Sequence, residues 1–154
     1  MTACDPLLTF AIWLGFRAIG IWLDKLIEDD DLYRRAVEAL NPRKLSPLAE
    51  AGGVASALVT DQDNVYVGVS IDTSCSMGFC AEHNAIGNMV TSGETRIITI
   101  VAVDSDGQIL SPCGRCREFI YQIDSANVNS RVLLDADRHA TIETLLPERY
   151  FKNH

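Results

Sequence analysis

Two short cysteine blocks constrain this chain more than any other feature. The first covers residues 80–82, Cys-Ala-Glu, and the second covers residues 112–116, Pro-Cys-Gly-Arg-Cys. Zinc prefers four tetrahedral ligands, and a hydrolytic zinc site leaves one of the four positions to water. Three cysteines, together with a carboxylate that is not needed as a ligand, therefore predict a zinc site with one open position.

The spacing within each block suits this chemistry. The two-residue gap between Cys113 and Cys116 lets both sulfurs turn towards one ion, and Gly114 permits the tight backbone that the turn requires. A bound metal would lower the pKa of a water molecule, and Glu82, two residues beyond Cys80, is placed to accept its proton. The two blocks match the zinc-deaminase signature, in which His or Cys precedes x-Glu and Pro-Cys-x-x-Cys follows.

A closed structural zinc knuckle or a redox pair is the alternative interpretation of the Cys-x-x-Cys segment. A structural site needs a fourth ligand, which Cys4, Cys75 or one of the three histidines could give. His83 follows Glu82 directly, so on a helix it points about 100° away and reaches the metal only with distortion. A buried thiol is the simplest expectation for Cys75. No even disulfide framework is indicated, and thiolate ligands suit a reducing cytoplasm.

Four segments, which include both cysteine blocks, occur in the order typical of one family. They are residues 68–72 (Gly-Val-Ser-Ile-Asp), 78–82 (Gly-Phe-Cys-Ala-Glu), 109–118 and 145–150 (Leu-Leu-Pro-Glu-Arg-Tyr). From about residue 51 to residue 151 the chain resembles the small zinc-dependent cytidine deaminase family of the free-nucleoside type, including its blasticidin S deaminase branch. The resemblance implies hydrolytic deamination of a free cytosine nucleoside with release of ammonia, one Zn²⁺ per subunit, and a place in pyrimidine salvage.

The resemblance makes Cys80, Cys113 and Cys116 the zinc ligands and Glu82 the proton carrier. Three thiolates on a divalent cation leave a net negative centre, so compensating positive charge is expected nearby. Helices that begin at the cysteines would supply part of it through their N-terminal ends. The candidate side chains for the remainder are His83, Arg115 and Arg117. Cytidine-specific members commonly carry Arg where this chain has His83.

The resemblance also assigns substrate contacts. The backbone N–H of Ala81 would hold the ring carbonyl, and the backbone carbonyl of Ser111 would receive the leaving amino group. Tyr150 would stack on the base of a substrate bound in a neighbouring subunit. The cytidine enzymes hold the ribose with an Asn and a Glu, whereas this chain has the shorter Ser70 and Asp72, so the sugar would sit closer or differ in shape.

The substrate therefore stays open at this stage. The pair Gly52-Gly53 replaces an aromatic residue near the base, which predicts a wider pocket. Blasticidin S or another small aminated heterocycle is one alternative substrate, and a non-catalytic zinc-stabilised binding module is an alternative function. An intact Glu82 argues against the binding module, because such a module has no need of this carboxylate.

Composition excludes one class of substrate. The chain has 154 residues and a hydrophobic content of 47%, which is enough for one globular domain with a core. Its net charge is −8, with 13 basic and 21 acidic residues and no basic cluster. A protein that binds DNA or tRNA presents Lys and Arg to phosphates, so we expect a free small molecule and no nucleic-acid partner.

The pattern of apolar residues predicts an α/β fold. We expect a three-layer α/β/α, cytidine-deaminase-like domain with a mixed five-stranded sheet. The predicted strands cover residues 53–60, 65–71, 96–103, 108–110 and 131–134, with a hairpin between the first two. The predicted helices cover residues 81–91, 113–123 and 141–146.

The N-terminal segment is outside the resemblance. We expect an apolar helical extension over residues 1–30 and a catalytic domain over residues 31–154. Residues 7–23 are apolar but short for a membrane-spanning helix and lack the basic region of a signal peptide. They could pack on the domain or in a subunit contact, lie on a membrane surface, or precede the true start of the protein. The family implies a homotetramer or, less often, a dimer.

Overall fold

The computed structural model describes residues 29–151. The chain divides into two units, Met1–Asp31 and Leu32–His154, and the fold described here is that of the second. The predictions of an apolar extension over residues 1–30 and of membrane-surface contact through residues 7–23 lie outside the described residues. Within residues 29–151, no helix is long and apolar enough to cross a membrane.

The described part of the chain contains one sheet of seven strands and the helices that cover it. The strands are β1 (Arg43–Ser46), β2 (Ala49–Thr60), β3 (Val65–Thr73), β4 (Ile97–Asp104), β5 (Ile109–Leu110), β6 (Arg131–Leu133) and β7 (His139–Thr141). The helices are α1, which is described over residues 29–39, α2 (Ala81–Thr91), α3 (Gly114–Ile123) and α4 (Ile142–Leu145). Two short 3₁₀ segments, Ser74–Ser76 and Ser125–Asn129, lie in the connections.

The sheet is mixed, as the sequence predicts. Its order is β1-β2-β4-β6-β7, with β3 paired to β2 and β5 paired to β4. The predicted hairpin is present, since Ala57 pairs with Val67 in an antiparallel β2–β3 ladder. β4 and β6 are parallel, and Ile100 of β4 pairs with Val132 of β6.

The predicted number of strands was two too low. β1 and β7 were missed for a physical reason: β1 is four residues long with every residue exposed, and β7 is three residues long. Neither carries the apolar alternation by which a strand is recognised in a sequence.

Two apolar layers flank the sheet and confirm the three-layer arrangement. On one face, Leu58 and Ile100 of the sheet pack with Ile86 and Met89 of α2 and Ile120 of α3. On the other face, strand residues and α1 residues form a second cluster. That cluster contains Leu32, Ala36, Ala55, Val101 and Val103. Ile100 and Val101 are neighbours that point to opposite faces, which is the period of a strand buried on both sides.

Helix α2 lies unusually close to β3. A Cβ atom added at Gly68 would fall 2.2 Å from the backbone nitrogen of Ala85, so only glycine permits this approach. Two amides then bind the outer side of the strand: Asn84 Nδ2 donates to the Val69 carbonyl at 3.0 Å, and Asn88 Nδ2 donates to the Val67 carbonyl at 2.9 Å. These contacts fix the position of α2, whose first turn carries Glu82 and follows Cys80.

Candidate active site

Three cysteine sulfurs meet where α2 and α3 begin. Cys80 and Cys113 are the N-cap residues of α2 and α3, both with extended backbone, and Cys116 lies in the first turn of α3. The Sγ atoms of Cys80 and Cys113 are 3.7 Å apart, and those of Cys113 and Cys116 are 3.4 Å apart. The free N–H groups of both helix ends therefore surround the sulfur cluster with partial positive charge.

The cluster fits a zinc ion. Four ligands arranged as a tetrahedron with Zn–S bonds of about 2.3 Å hold their sulfurs about 3.8 Å apart, close to the separations observed. All three sulfurs lie within 4.8 Å of one another, and the group formed within residues 29–151 contains these three alone. His83 and Glu82 do not join it, so the donor set leaves a fourth position of the tetrahedron open.

The electrostatics of the thiols favour a cation in the cluster. Burial, followed by the charge of Glu82, raises the pKa of the Cys116 thiol far above its ordinary range. Burial also raises the pKa of Cys80. Burial opposes ionisation of Cys113 too, but hydrogen bonds from the Cys116 backbone and thiol and from the Cys80 thiol bring the pKa of Cys113 below its usual value. A positive ion would hold all three sulfurs as thiolates.

A cavity of about 330 Å³ borders the cluster. Its lining comes from the middle of β2, from the C-terminal parts of β3, β4 and β5, and from the segments that lead into α2 and α3. The lining residues are Val54, Ser70, Asp72, Gly78, Phe79, Cys80, Ala81, Glu82, Ala102, Leu110, Ser111, Cys113 and Arg115. Its size and its mixture of apolar walls with a few polar groups suit a small organic molecule.

Glu82 is the one buried residue among the charged residues that line this cavity. It belongs to the first turn of α2, only 5% of it is exposed, and it lines the cavity beside Cys80. Its carboxylate makes no hydrogen bond within the described part of the chain. Because the residue is buried but its oxygens have no partner and are open to the cavity, the carboxylate is free to meet a proton, a ligand or a nearby ion.

His83 faces the cysteines without joining them. Its Nδ1 atom lies 3.4 Å from Cys116 Sγ, and its ring stacks on Phe119 with centroids 4.4 Å apart. Burial, and then the charge of Arg115, lower the pKa of His83. Helix geometry predicted that His83 would point away from Glu82. In the structure, His83 contacts the cysteine cluster only through the sulfur of Cys116.

The two arginines beside the cysteines have different surroundings. Arg115 lines the cavity. The Arg117 side chain donates from Nε to the Pro112 carbonyl at 2.8 Å, from Nη1 to the Leu145 carbonyl at 3.0 Å and from Nη2 to Ser111 Oγ at 3.1 Å. No hydrogen bond joins Arg117 to a described thiol. It holds the segment that leads into Cys113, a role the sequence did not reveal because Leu145 is 28 residues away along the chain.

Four of the five predicted substrate contacts lie around the cavity. Ser70, Asp72, Ala81 and Ser111 all line it. Ser70 is buried, and its Oγ already accepts a hydrogen bond from the Val54 N–H at 3.2 Å. Tyr150 is not among the lining residues. It is 77% exposed and packs edge-on against Phe151, with ring centroids 4.5 Å apart.

Two expectations about this region were wrong. Gly52 does not widen the cavity: its φ is +81°, and a Cβ atom there would fall 2.1 Å from the Asn41 carbonyl oxygen, so it serves a tight backbone contact. Neither Gly52 nor Gly53 lines the cavity. Cys75 is exposed, not buried, because it lies in the 3₁₀ segment Ser74–Ser76, none of whose residues is buried.

Comparison with known proteins agrees with the fold and the site. Residues 27–131 match the cytidine and deoxycytidylate deaminase zinc-binding region. The cytidine deaminase of Mycobacterium tuberculosis is 28% identical over 99 residues, which is 63% of this chain and 71% of that protein. The blasticidin-S deaminase of Bacillus cereus is 32% identical over 114 residues, which is 65% of this chain and 78% of that protein. The crystal structure of cytidine deaminase from Mycobacterium leprae superposes on this chain with a TM-score of 0.65 at 25% sequence identity. The superposition covers 77% of this chain and 97% of the mycobacterial chain.

The fold and the three-cysteine group define the class of zinc-dependent hydrolases that act on carbon–nitrogen bonds. Because the matched region covers well over half of the chain, the protein belongs to the cytidine and deoxycytidylate deaminase family. The predicted resemblance, fold class and enzyme class are confirmed.

Arg117 provides a test of how the second ligand pair is held. Lysine keeps the charge but has no planar fork, so Arg117→Lys loses most of its three contacts. We expect the affinity for zinc to fall by about tenfold, which is the lower end of the usual decrease when a residue that orients metal ligands is replaced. Competition with a fluorescent zinc chelator measures the change.

The matched control is Arg138→Lys, in the exposed turn between β6 and β7. It should leave the affinity for zinc unaltered. Equal affinities for the wild type and Arg117→Lys would show that the guanidinium does not position the ligands.

Proposed function

We propose that this protein deaminates a free cytosine nucleoside, cytidine or deoxycytidine, by hydrolysis with release of ammonia. The observation that carries the proposal is a buried, unpartnered Glu82 in a cavity bordered by three clustered cysteine sulfurs. Membership of the family and the relatives named cytidine deaminase support it. The cavity volume is suited to a base with its sugar, and the net charge of −8 disfavours nucleic acid.

Cys80, Cys113 and Cys116 would hold one zinc ion per subunit. When bound, the ion lowers the pKa of a water molecule and so supplies a nucleophile at neutral pH. The helix ends at Cys80 and Cys113 would offset the charge of the thiolates. Arg115 would add positive charge, and His83 would add a hydrogen bond to the Cys116 sulfur. Arg117 would affect the thiolates only indirectly, by holding the segment before Cys113, because its donors already bind backbone and hydroxyl oxygens.

Glu82 would carry the protons. Its carboxylate accepts a proton from the attacking water and delivers it to the ring nitrogen next to the amino-bearing carbon, which makes that carbon a better electrophile. It then moves the remaining hydroxyl proton to the departing amine, so the products are a ring carbonyl and ammonia. A carboxyl group shielded from water suits this work because little solvent competes for the proton.

Main-chain atoms would orient the ring. Ala81 opens α2, so its N–H has no partner within the helix and can donate to the ring carbonyl. The Ser111 carbonyl precedes the second cysteine pair and would accept from the leaving amino group. Ser70 and Asp72, which line the same cavity from β3, would contact the sugar. The Ser70 hydroxyl can still donate, although its oxygen already accepts from Val54.

Blasticidin S is the second candidate substrate. The relative from Bacillus cereus named blasticidin-S deaminase is 32% identical, against 28% for the mycobacterial cytidine deaminase. The shorter side chains at Ser70 and Asp72 are consistent with a ligand that is not ribose. A non-catalytic zinc module is disfavoured by Glu82, because a module that only binds zinc has no need of a carboxylate that lines the cavity beside the cysteines and is not one of the three clustered ligands.

The proposal extends to assembly and location. The active protein would be a homotetramer in which Tyr150 reaches the substrate of a neighbouring subunit, since Tyr150 is exposed and stands away from its own cavity. The catalytic domain would cover residues 31–154.

Three zinc thiolates favour a reducing compartment, so the cytoplasm is the proposed location. The proposed metabolic role is in pyrimidine salvage.

The decisive test is ammonia release by zinc-loaded protein. Cytidine and deoxycytidine should be the best substrates in a panel that includes blasticidin S, aminopyrimidines and aminopurines. Glu82→Gln should lower kcat/KM by about 10²- to 10⁴-fold, the usual worth of a general acid–base group, while zinc stays bound. The exposed Glu38→Gln on α1 makes the same substitution away from the cavity and should retain full activity. Activity that survives Glu82→Gln would refute the proton-carrier role.

Tyr150 tests the shared site. Removing the ring in Tyr150→Ala should raise KM by about three- to tenfold through lost stacking, whereas Tyr150→Phe keeps the ring and should keep KM. Size-exclusion chromatography should give a tetramer for the wild type. A monomeric wild type with normal turnover would contradict a site completed by a neighbouring subunit.

A further inference from the structure

His83 connects the two helices that carry the cysteines. It lies in the first turn of α2, and its Nδ1 atom is 3.4 Å from the Sγ atom of Cys116 in the first turn of α3. A thiolate can only accept a hydrogen bond, so the nitrogen that faces the sulfur carries a proton, whatever the state of the other ring nitrogen. When the cysteines hold zinc as thiolates, His83 therefore donates to Cys116.

Cys116 is the ligand that most needs such a donor. Its exposed fraction is 0%, so solvent water cannot donate to its sulfur, whereas Cys80 is only partly buried and Cys113 is exposed. The neighbouring sulfurs cannot donate either once they are thiolates. Within residues 29–151, His83 is the one side chain outside the cysteine cluster that makes a hydrogen bond to Cys116 Sγ. The contact between these two residues is therefore the one that a positioning group has to maintain.

Phe119 holds the imidazole beside this sulfur. The two rings stack with centroids 4.4 Å apart and an angle of 6° between their planes. Cys116 and Phe119 are three residues apart on α3 and so share one face of that helix, along which the imidazole lies. Phe119 itself packs against the apolar layer that contains Ile86 and Ile120. The position of the stacking ring is therefore set by the core of the domain and not by the metal site.

No residue of α2 would hold the imidazole in the same way. His83 lines an open groove of about 350 Å³ together with Gly87, which is four residues further along α2 and therefore its neighbour on the helix surface. A Cβ atom added at Gly87 would meet nothing within 4 Å. Without the stacking ring, a change of side-chain rotamer would carry the imidazole into this groove and away from Cys116. Phe119 thus determines whether the hydrogen bond to the sulfur is kept.

We propose that Phe119 is a positioning residue of the metal site: by stacking on His83, it keeps the Nδ1–H group directed at the Cys116 thiolate and so strengthens zinc binding. The inference rests on the zinc site of the proposed function and is independent of the substrate. A hydrogen bond to the sulfur disperses part of the negative charge that three thiolates bring to one ion. Loss of a group that orients metal ligands typically lowers metal affinity by about ten- to a hundredfold.

Substitutions at both positions test whether Phe119 acts through His83. Phe119→Leu keeps an apolar side chain without the ring, and we expect the affinity for zinc, measured by competition with a fluorescent chelator, to fall by about tenfold. His83→Ala should lower the affinity at least as much, and Phe119→Leu should cause no further loss when His83 is already Ala. If the two losses multiply in the double variant, Phe119 only packs the helix, and the proposal is overturned.

Two control variants separate stacking from general packing. Phe119→Tyr keeps the ring and should keep the wild-type affinity for zinc; a loss as large as that of Phe119→Leu would contradict the role of stacking. Phe151→Leu makes the same substitution at the exposed C-terminal end of the described chain and should leave the affinity unaltered. Phe119→Met, which fills more of the volume of the ring, replaces Phe119→Leu if the leucine variant does not fold.

The spectrum of the Co²⁺-loaded protein gives a readout that packing alone does not change. A hydrogen bond to a ligand sulfur stabilises the sulfur lone pairs, so it raises the energy of the sulfur-to-cobalt charge-transfer band. His83→Ala and Phe119→Leu should both shift this band to lower energy, and Phe119→Tyr should leave it in place. A band that does not move in the first two variants would overturn the proposal.

These measurements need no substrate, so they distinguish failure of this inference from failure of the proposed function. Coupled losses of zinc affinity in a protein that releases no ammonia from any nucleoside would contradict the proposed function and support the positioning role. Independent losses in a protein that does deaminate cytidine would overturn the positioning role alone.

Discussion

The structure depends on the meeting of two helix N-termini at one point beside the sheet. Cys80 and Cys113 cap α2 and α3, and Cys116 follows in the first turn of α3, so three sulfurs reach tetrahedral spacing without distortion of either helix. The position of each helix N-terminus must therefore be fixed by contacts with the rest of the fold. The close packing of α2 against Gly68 fixes the first, and the hydrogen bonds of Arg117 to the segment before Cys113 fix the second.

The same point gathers groups whose ionised forms repel one another unless a cation is present. Three thiols are brought together, and the carboxylate of Glu82 lies buried beside them, which raises the pKa of Cys116 and contributes to raising that of Cys80. Burying negative charge in one small volume is unfavourable by itself. A divalent ion removes the conflict, and Glu82, the carboxylate beside the cysteines, can then exchange protons with a ligand. The arrangement therefore links metal binding to the proposed catalysis.

Local features of the site could be predicted, and long-range ones could not. The cysteine blocks, the helix over residues 81–91 and the hairpin follow from patterns within a few residues, and the structure contains them. β1 and β7 were missed because they are short and carry no apolar alternation. The contact of Arg117 with Leu145 and the stacking of His83 on Phe119 depend on chain packing, which one sequence does not encode in any local pattern. Gly52 was expected to widen the pocket, because the family resemblance puts an aromatic residue at this point. Its positive φ and its close approach to the Asn41 carbonyl oxygen show instead that a glycine is needed for the local backbone packing.

The central claim is that three sulfurs hold zinc and leave one position free. X-ray absorption at the zinc edge of the loaded protein measures this most directly. The account predicts three sulfur atoms at about 2.3 Å and one oxygen at about 2.0 Å from the metal. A fourth sulfur, or the multiple-scattering signature of an imidazole such as that of His83, would show a closed site and contradict it.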